Sequence, residues 1–378
     1  MSLRKREESI SKEADPVEIA VSILPQLRDR ERELDRSGQY GSGNIDLLRE
    51  AGLLRLNVPA SADGLGADLD ATVETLRQLA QASPSTALML AMHTSTLAHY
   101  LLDPAIIPSR ERDAFREQRS WAWREAVKGN IFGVANSEPG AGGDVHNSKA
   151  QLNDEGTAVS GVKSFASMGT APMYFMVAAR EGNGKVQYYL VRNDKERVRV
   201  ESPWDATGMR SSESVTLRFE EAPVVGALGY PGLLDGVNNR HWSTLSFTSI
   251  FVGIAESLLE DAVRQAEAML QKTECVELQL TLQACRAFLR HAVENEPAVP
   301  DADYKILVRD CKLFVTRALA QRASALFAAQ GGGAYRFSSP FSRKLRDLLA
   351  GPLLRPPVGT SFDEVWEDLA ESFPSTKK

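Results

Sequence analysis

Residues 136–144, Asn-Ser-Glu-Pro-Gly-Ala-Gly-Gly-Asp, combine residue types that suit the binding of a polar ligand. Three glycines and a proline within five positions predict a loop with positive φ angles, whose backbone can approach a ligand closely. Ser137 adds a small hydroxyl, and Asp144 ends the segment with a carboxylate. The apolar residues 131–135 directly before the loop predict a strand. We therefore expect a ligand-binding loop that is carried by a β-sheet.

A second polar segment, residues 161–167, precedes another apolar run at residues 174–179 that also predicts a strand. Phe165 supplies an aromatic ring in this segment, and Ser167 supplies a second hydroxyl. In isolation, Ser137 and Ser167 would be ordinary loop serines, and Phe165 would be a core residue. Two such loops on one β scaffold instead indicate a planar, polar cofactor that is held by backbone amides, small hydroxyls and one ring.

The pattern of apolar residues divides the chain into three zones that would position these loops. Residues 1–128 predict helices, and the run at 87–102 is apolar nearly all round, which predicts a buried helix. Residues 129–228 alternate short Val-, Tyr- and Phe-rich runs with turns, which predicts a small antiparallel β domain with a hairpin at 181–184. Residues 229–378 contain three long amphipathic patterns, which predict a domain like a four-helix bundle. The expected fold class is therefore α+β.

Length and composition exclude several classes of function. The chain has 378 residues, 43% of them hydrophobic and 25% charged, so we expect two or three globular domains. Its net charge is −6 and no basic face is apparent, which argues against binding to nucleic acid. The three cysteines lie in helical patterns and no Cys/His cluster has metal-ligand spacing, which predicts a reducing compartment and no metal. The N-terminus is charged from Arg4 to Glu8 and nothing resembles a membrane span, so we expect a cytoplasmic protein.

The order of the three zones, together with several motifs, resembles the acyl-CoA dehydrogenase superfamily of flavoproteins. Residues 137–144 resemble the family's Thr-Glu-Pro-Gly-Ala-Gly-Ser-Asp loop, and residues 161–167 match its second flavin segment. The further matches are Leu53-Leu54 through Pro59, Gly64-Leu65-Gly66, Gly208-Met209-Arg210, the turn from Gln330 to Tyr335, and Arg343, Arg346 and Asp347 after that turn. The resemblance covers nearly the whole chain, and it implies the family's fold and an FAD cofactor.

The resemblance assigns the flavin contacts to four residues. Ser137 and Gly142 of the first loop would contact the flavin. The ring of Phe165 would lie against the isoalloxazine, and the hydroxyl of Ser167 would reach N5. Contacts of this kind stabilise charge on the reduced ring and so adjust the potential of the flavin.

The resemblance also implies an assembly and a substrate. The family forms homotetramers or homodimers, and its turn at Gly331, Gly332 and Gly333 would bind the FAD of a neighbouring subunit. Asp144 and Arg210 would face the substrate, although a structural role for Arg210 is equally open. The substrate would be an acyl-CoA of fatty acid metabolism, and an electron-transfer flavoprotein would accept the electrons.

The family's catalytic base is missing from its expected positions. Dehydrogenation of an acyl-CoA thioester needs a base for the α-proton, and the family uses a glutamate whose pKa is raised by an apolar pocket. This chain has Val358 at the usual position and Ser243 at the alternative one. Two histidines are candidates for proton transfer, although a structural role is open for both. They are His93 in the buried helix and His241 near the start of a later helix.

Two more departures from the family pattern widen the choice of reaction. Gly143 replaces a serine that contacts the pantetheine arm of CoA, and the Arg-x-x-Phe segment for the FAD pyrophosphate is missing after Leu270. The first hypothesis is an FAD-dependent acyl-CoA dehydrogenase with an atypical base. The second is a two-component monooxygenase or oxidase for a small apolar substrate, which receives reduced flavin, FMN or FAD, from a flavin reductase. The third is a non-catalytic flavin-binding homologue. The sequence favours them in that order.

Overall fold

The computed structural model describes residues 15–354 and 357–373. The charged stretch from Arg4 to Glu8 lies outside these residues. The α-helices of the described part are α1 (Pro16–Ser37), α2 (Ser42–Glu50), α3 (Leu69–Ala82), α4 (Pro84–Ala98), α5 (Arg112–Val127), α6 (Arg240–Gln265), α7 (Met269–Glu294), α8 (Ala302–Ala329), α9 (Pro340–Leu348) and α10 (Val358–Ser372). The strands are β1 (Phe132–Ala135), β2 (Gln151–Leu152), β3 (Ala158–Ala166), β4 (Tyr174–Arg180), β5 (Val186–Arg192), β6 (Val198–Ser202) and β7 (Val215–Ala227).

Capping residues fix where the N-terminal helices begin. The Asp15 carboxylate accepts a hydrogen bond from the N–H of Val17, and a proline opens the first turn of α1. Ser83 caps α4 in the same way, and a proline again follows the cap. All 15 residues of α4 are buried, which confirms the helix that the apolar run at 87–102 predicts. Because it is buried on every face, α4 packs against both α6 and β1 and joins the three parts of the chain.

The seven strands form one sheet in the order β1-β4-β2-β3-β7-β5, with β6 paired to β7. β4 and β5 form the predicted hairpin, with Tyr174 opposite Arg192. The sheet is mixed rather than wholly antiparallel, because β4 runs parallel to both β1 and β2. Parallel neighbours need a long connection. Residues 136–173, which contain both predicted ligand loops, connect β1 to β4.

The C-terminal part contains the three predicted long helices, α6, α7 and α8. Their apolar faces share one core with α1, α3 and α4, so the two helical parts form a continuous layer behind the sheet. α6 ends at Gln265 and α7 begins at Met269, which leaves no room for an Arg-x-x-Phe segment between them. α6 alone among the described helices is long and apolar enough to cross a membrane, and 72% of its most apolar window is buried inside the protein.

A buried polar junction joins α1, α9 and the loop before β7. Arg346 donates hydrogen bonds of 3.1 and 2.7 Å to the two carboxylate oxygens of Asp35. The Asp347 carboxylate accepts the backbone N–H of Met209 at 2.7 Å. Glu31 lies one turn before Asp35 and is buried, and its Oε2 has no hydrogen-bond partner among the described residues. The junction therefore places three carboxylates close together out of water.

Burial and neighbouring charge change the acidity of this junction. Burial raises the pKa of the Glu31 carboxyl from its ordinary value of 4.5 to about 7, and the nearby Asp347 carboxylate adds to the rise. Burial likewise raises the pKa of Asp347 to about 6. A carboxyl with a raised pKa stabilises the folded state only while it holds its proton. The stability contributed by protonated Glu31 is therefore complete below pH 4.5 and is lost as the pH rises through 7.

We predict that E31Q stabilises the protein at alkaline pH. Glutamine keeps the shape of the side chain and cannot ionise, so it avoids a buried charge. The free energy of unfolding at pH 8.5 should exceed that of the wild type by about 1–3 kcal/mol, and the difference should shrink towards pH 4.5. Denaturant unfolding across this pH range measures the effect. E33Q, at an exposed position on the same helix, is the matched control and should change stability by less than about 0.5 kcal/mol. A pH-independent effect of E31Q would contradict this account.

Candidate functional site

A backbone bridge brings the two predicted ligand loops together. The N–H of Ser164 donates to the carbonyl of Ser137 at 2.8 Å, so the loop after β1 pairs with the end of β3. Ser137 is half-buried beside this bridge. The two segments, which the sequence links only through the family resemblance, are therefore neighbours in space.

A buried ion pair beneath the bridge holds the first loop on the sheet. Lys163 is completely buried, and its ammonium donates to the Glu138 carboxylate and, at 2.9 Å, to the hydroxyl of Ser148. The same carboxylate accepts the backbone N–H groups of Lys149 at 2.6 Å and Ala150 at 3.2 Å. Burial alone would raise the pKa of Glu138, but the hydrogen bonds from Lys163 and Ser148 outweigh it and hold that pKa below its ordinary value. The carboxylate is therefore charged and fully bonded in the folded protein.

Phe165 is the most unusual residue of the second loop. Its φ is +56°, a left-handed conformation that costs a residue of this type roughly 1–2 kcal/mol. The residue is 63% exposed, and the ring of Trp204 meets the Phe165 ring edge-on at 6.3 Å between centroids. Strained residues of this kind persist where a surrounding structure holds them and where a function requires them. An exposed aromatic face in this place suits a flat ring system as its partner.

The hydroxyl of Ser167 lies in a buried chain of serines. Its Oγ is 2.8 Å from the Oγ of Ser214, which is 2.8 Å from the Oγ of Ser212. All three serines are buried. Three hydroxyl protons are available, and the two hydrogen bonds between these residues use only two of them. The chain can therefore offer one hydroxyl proton to a ligand, which fits the predicted contact of Ser167 with a flavin nitrogen but does not test it.

Glycines shape the open side of the first loop. Gly142 has a φ of +65°, and a Cβ added there would meet no atom within 4 Å, so this position is open to a ligand. Gly143 has a φ of +88°, and a Cβ added there would lie 2.8 Å from the ring of Pro357. The start of α10 therefore packs onto the loop. Asp144 is exposed and accepts the N–H of His146 at 2.9 Å, and its predicted contact with substrate stays a prediction.

The structure gives His93 a structural position rather than a catalytic one. The backbone N–H of Phe132 donates to Nδ1 at 3.0 Å, so Nδ1 carries no proton. Nε2 then donates to the carbonyl of Leu54 at 2.6 Å. Burial lowers the pKa of the ring to about 4, which keeps it neutral. With both nitrogens bonded to backbone, His93 has no free atom for proton transfer, and the sequence-based expectation finds no support here.

His241 and Arg210 are also engaged by neighbouring groups. His241 is buried, and its Nε2 is 2.6 Å from the carboxylate of Glu296 beyond α7. The ring of Tyr304 on α8 also meets the imidazole edge-on, at 5.3 Å between centroids, so the side chain of His241 packs against the helical bundle. Arg210 donates to the carbonyls of Asp35 at 2.7 Å and Ala206 at 3.0 Å. Its contacts are those of a link between α1 and the β domain, so the substrate role predicted for Arg210 is not supported.

The predicted turn for a neighbouring subunit's cofactor lies at the surface. Gly331, Gly332 and Gly333 are exposed, and a Cβ added at any of them would meet no atom within 4 Å. Tyr335 follows them and is 82% exposed. The turn is thus accessible to another molecule, and its role in a neighbouring subunit stays a prediction.

Sequence reasoning missed three residues that complete the site. The sequence alone assigns no role to Trp204, Ser214 or Pro357. Each acts through a contact between segments far apart in the chain, which no local pattern reveals. Among the described residues, no group of three or more His, Cys, Asp and Glu residues suits a metal ion. An open glycine loop, an exposed aromatic face and one spare buried donor together fit a planar cofactor.

Comparison with known proteins agrees with this geometry. Three family models match the chain in order: the acyl-CoA dehydrogenase N-terminal domain at residues 24–105, the middle domain at 133–222 and the C-terminal domain at 245–353. The middle-domain match contains both ligand loops. The three matches follow the helical, sheet and helical order of the fold.

Individual relatives carry different activities. The chain is 26% identical to the acyl-CoA dehydrogenase-like protein YdbM of Bacillus subtilis, over 93% of this chain and 95% of that protein. It is 27% identical to L-evernosamine nitrososynthase of a Micromonospora species, over 90% of this chain and 86% of that protein. The FMN-bound dibenzothiophene monooxygenase TdsC of Paenibacillus sp. A11-2 has a TM-score of 0.81 at 23% identity, over 96% of this chain and 99% of that one. At that identity the last similarity concerns the fold alone.

We predict that K163M strongly destabilises the protein. The substitution leaves the Glu138 carboxylate buried without its cation, which should lower the free energy of unfolding by about 3–5 kcal/mol. Denaturant unfolding at neutral pH measures this change. The double variant K163M/E138Q removes the charge as well and should recover much of the loss. An equal loss in both variants would mean that the packing of Lys163, rather than the unpaired charge, sets the cost.

We predict different costs for alanine at two adjacent glycines. G142A adds only the backbone cost of a left-handed alanine, about 1–2 kcal/mol of unfolding free energy. G143A adds the same cost and a clash with Pro357, about 1–3 kcal/mol more. Denaturant unfolding gives both values, and limited proteolysis should show earlier cleavage near α10 in G143A alone. Equal behaviour of the two variants would count against the packing of α10 on the loop.

Proposed function

Since the chain belongs to the acyl-CoA dehydrogenase family, we propose that it is a flavin-dependent monooxygenase or oxidase of that fold, which uses reduced flavin and oxygen to oxidise a small molecule. The family and its relatives make the chain a flavoprotein oxidoreductase that uses FMN or FAD. The choice of reaction within this class is the proposal. This proposal places reaction with oxygen ahead of acyl-CoA dehydrogenation, whereas the sequence alone favoured dehydrogenation.

The contact between Pro357 and Gly143 carries this choice. In a dehydrogenase of the family, the residue at position 143 is a serine that contacts the pantetheine arm of CoA. Here a Cβ at this position would lie only 2.8 Å from the ring of Pro357, so a side chain does not fit without movement of Pro357. The chain lacks that hydroxyl, and Pro357 at the start of α10 packs against the place where it would begin. This arrangement favours a substrate without a CoA arm.

The lack of a suitably placed carboxylate also argues against α-proton abstraction. Position 358 is a valine and position 243 a serine, so neither carries a carboxylate. Asp363 and Glu364 are exposed on α10, and the Glu364 carboxylate lies 3.8 Å from the guanidinium of Arg309, so neither acid lies in an apolar pocket. Two relatives with this fold, the nitrososynthase and the dibenzothiophene monooxygenase, are named for oxygenation reactions. Both considerations support oxygen chemistry over dehydrogenation.

The protein's own residues would bind and shield the cofactor. The flavin, when bound, supplies the electrons for the reaction with oxygen. Gly140 and Gly142 have positive φ angles and no Cβ to cover their backbone, and Phe165 in the neighbouring loop is exposed. Ser167 can offer the spare hydroxyl proton of the buried serine chain. Pro357 at the start of α10 packs on the loop at Gly143.

Acyl-CoA dehydrogenation is the second candidate, and one observation favours it. The dehydrogenase-like protein YdbM matches nearly the full length of both chains. A base on another segment would then be required. We further propose that the protein is a homo-oligomer served by a flavin reductase, because the turn at 331–333 is exposed and the segment for the FAD pyrophosphate is absent between α6 and α7. We also propose a cytoplasmic location, because the three cysteines are free, as suits a reducing compartment.

An anaerobic titration followed by oxygen tests the proposal. We expect acyl-CoA thioesters of short, medium and long chain to leave the spectrum of protein-bound oxidised flavin unchanged. We expect protein supplied with chemically reduced FMN or FAD to alter the course of oxygen consumption relative to free reduced flavin, because the site shields the bound ring. Stopped-flow absorbance and an oxygen electrode measure both. Rapid bleaching of the bound flavin by an acyl-CoA would establish dehydrogenation instead.

A further inference from the structure

The exposed ring of Phe165 depends on its contact with Trp204. Phe165 is 63% exposed and its φ is +56°. Few neighbours therefore fix the direction of its ring. The Trp204 ring meets it at an interplanar angle of 86°, the edge-to-face arrangement that aromatic pairs favour. The orientation of Trp204 therefore helps to set the face that Phe165 presents.

Trp204 is in turn held by Met209. The indole N–H of Trp204 donates to the carbonyl of Met209 at 3.0 Å. Met209 has a φ of +50°, so its own backbone needs support. That support comes from α9, since the N–H of Met209 donates to the carboxylate of Asp347 at 2.7 Å. Asp347 is 3% exposed, so this hydrogen bond forms out of water.

A second set of bonds joins the same two segments. The N–H of Met168 donates to the carbonyl of Ser212 at 2.8 Å, and the N–H of Gly169 donates to the carbonyl of Glu213 at 3.0 Å. Phe165, Met168, Met209 and Glu213 all have positive φ angles, and described residues of this kind that are not glycine number only six. The strained loop of the site and the strained segment before β7 thus support each other.

We propose that Asp347 is a positioning residue of the flavin site, which acts through Met209 and Trp204 to hold the ring of Phe165 in the orientation that binds flavin. The inference rests on the proposed function, because it takes Phe165 as a flavin contact. Asp347 itself touches neither loop. Its effect passes along one hydrogen bond to Met209, one from Trp204 and one ring contact.

The test measures flavin affinity in variants that stay folded. D347A should raise the Kd for oxidised FMN roughly 3- to 10-fold, the scale of one aromatic contact. D347N keeps an oxygen that can accept the N–H of Met209 and should stay within about twofold of the wild type. E31Q, in the same junction but without a bond to Met209, is the matched control and should leave the Kd unchanged. Quenching of FMN fluorescence gives each Kd, and circular dichroism confirms folding at the temperature used.

A double-mutant cycle separates positioning from general loosening. F165A should raise the Kd by a similar factor, and D347A should then add less than about twofold on the F165A background. If D347A does not fold, W204F tests the same path, because it keeps a ring and loses the N–H that Met209 accepts. W204F should raise the Kd of the wild type and leave that of F165A nearly unchanged.

The failures of the two proposals are distinguishable. Unchanged affinity in both D347A and W204F, or additive effects with F165A, would overturn the role of Asp347 and leave the proposed function standing. Absence of any affinity of the wild-type protein for FMN and FAD, in oxidised and reduced forms, would overturn the proposed function and this inference with it.

Discussion

The ion pair between Glu138 and Lys163 is the interaction on which the site depends. A charged lysine within a sheet is costly unless its charge is matched, and here a carboxylate, a hydroxyl and backbone groups all surround it. The pair joins the loop after β1 to β3, so the two segments that approach the ligand cannot move independently. The positions of the loop glycines and of the Phe165 ring therefore depend on the pairing of this buried charge.

Much of the fold was predictable from sequence, because apolar periodicity and capping residues are local signals. The buried helix α4, the hairpin of β4 and β5 and the three long C-terminal helices all follow from such patterns. The parallel pairing of β1 with β4 was not predictable, since it depends on where a long connection returns. The candidate histidines illustrate the same limit. A histidine in an apolar helix looks the same in sequence whether its nitrogens bind a substrate or bond to backbone. In His93, both nitrogens bond to backbone groups, of Leu54 and Phe132.

The site lacks several groups that a dehydrogenase of the family has. A hydroxyl is absent at Gly143, a carboxylate is absent at position 358, and residues 266–268 between α6 and α7 are too few for an Arg-x-x-Phe segment. The first of these losses lies within the glycine loop itself, whereas none of them involves the second loop or the ion pair between Glu138 and Lys163. The part of the fold that receives a planar ring is therefore separable from the parts that would recognise CoA and abstract a proton. Such separation explains how one scaffold can serve relatives with different names and reactions.

The strained backbone at Phe165 has a consequence for how this sequence changes over time. Replacing Phe165 by glycine would relieve a left-handed backbone and remove little buried surface, because the residue is 63% exposed. Selection for stability alone would therefore favour glycine at this position. The phenylalanine there records a pressure that opposes stability, as expected where activity and folding compete. The substitution rate at this position in related genomes would thus serve as a gauge of whether the site is still in use.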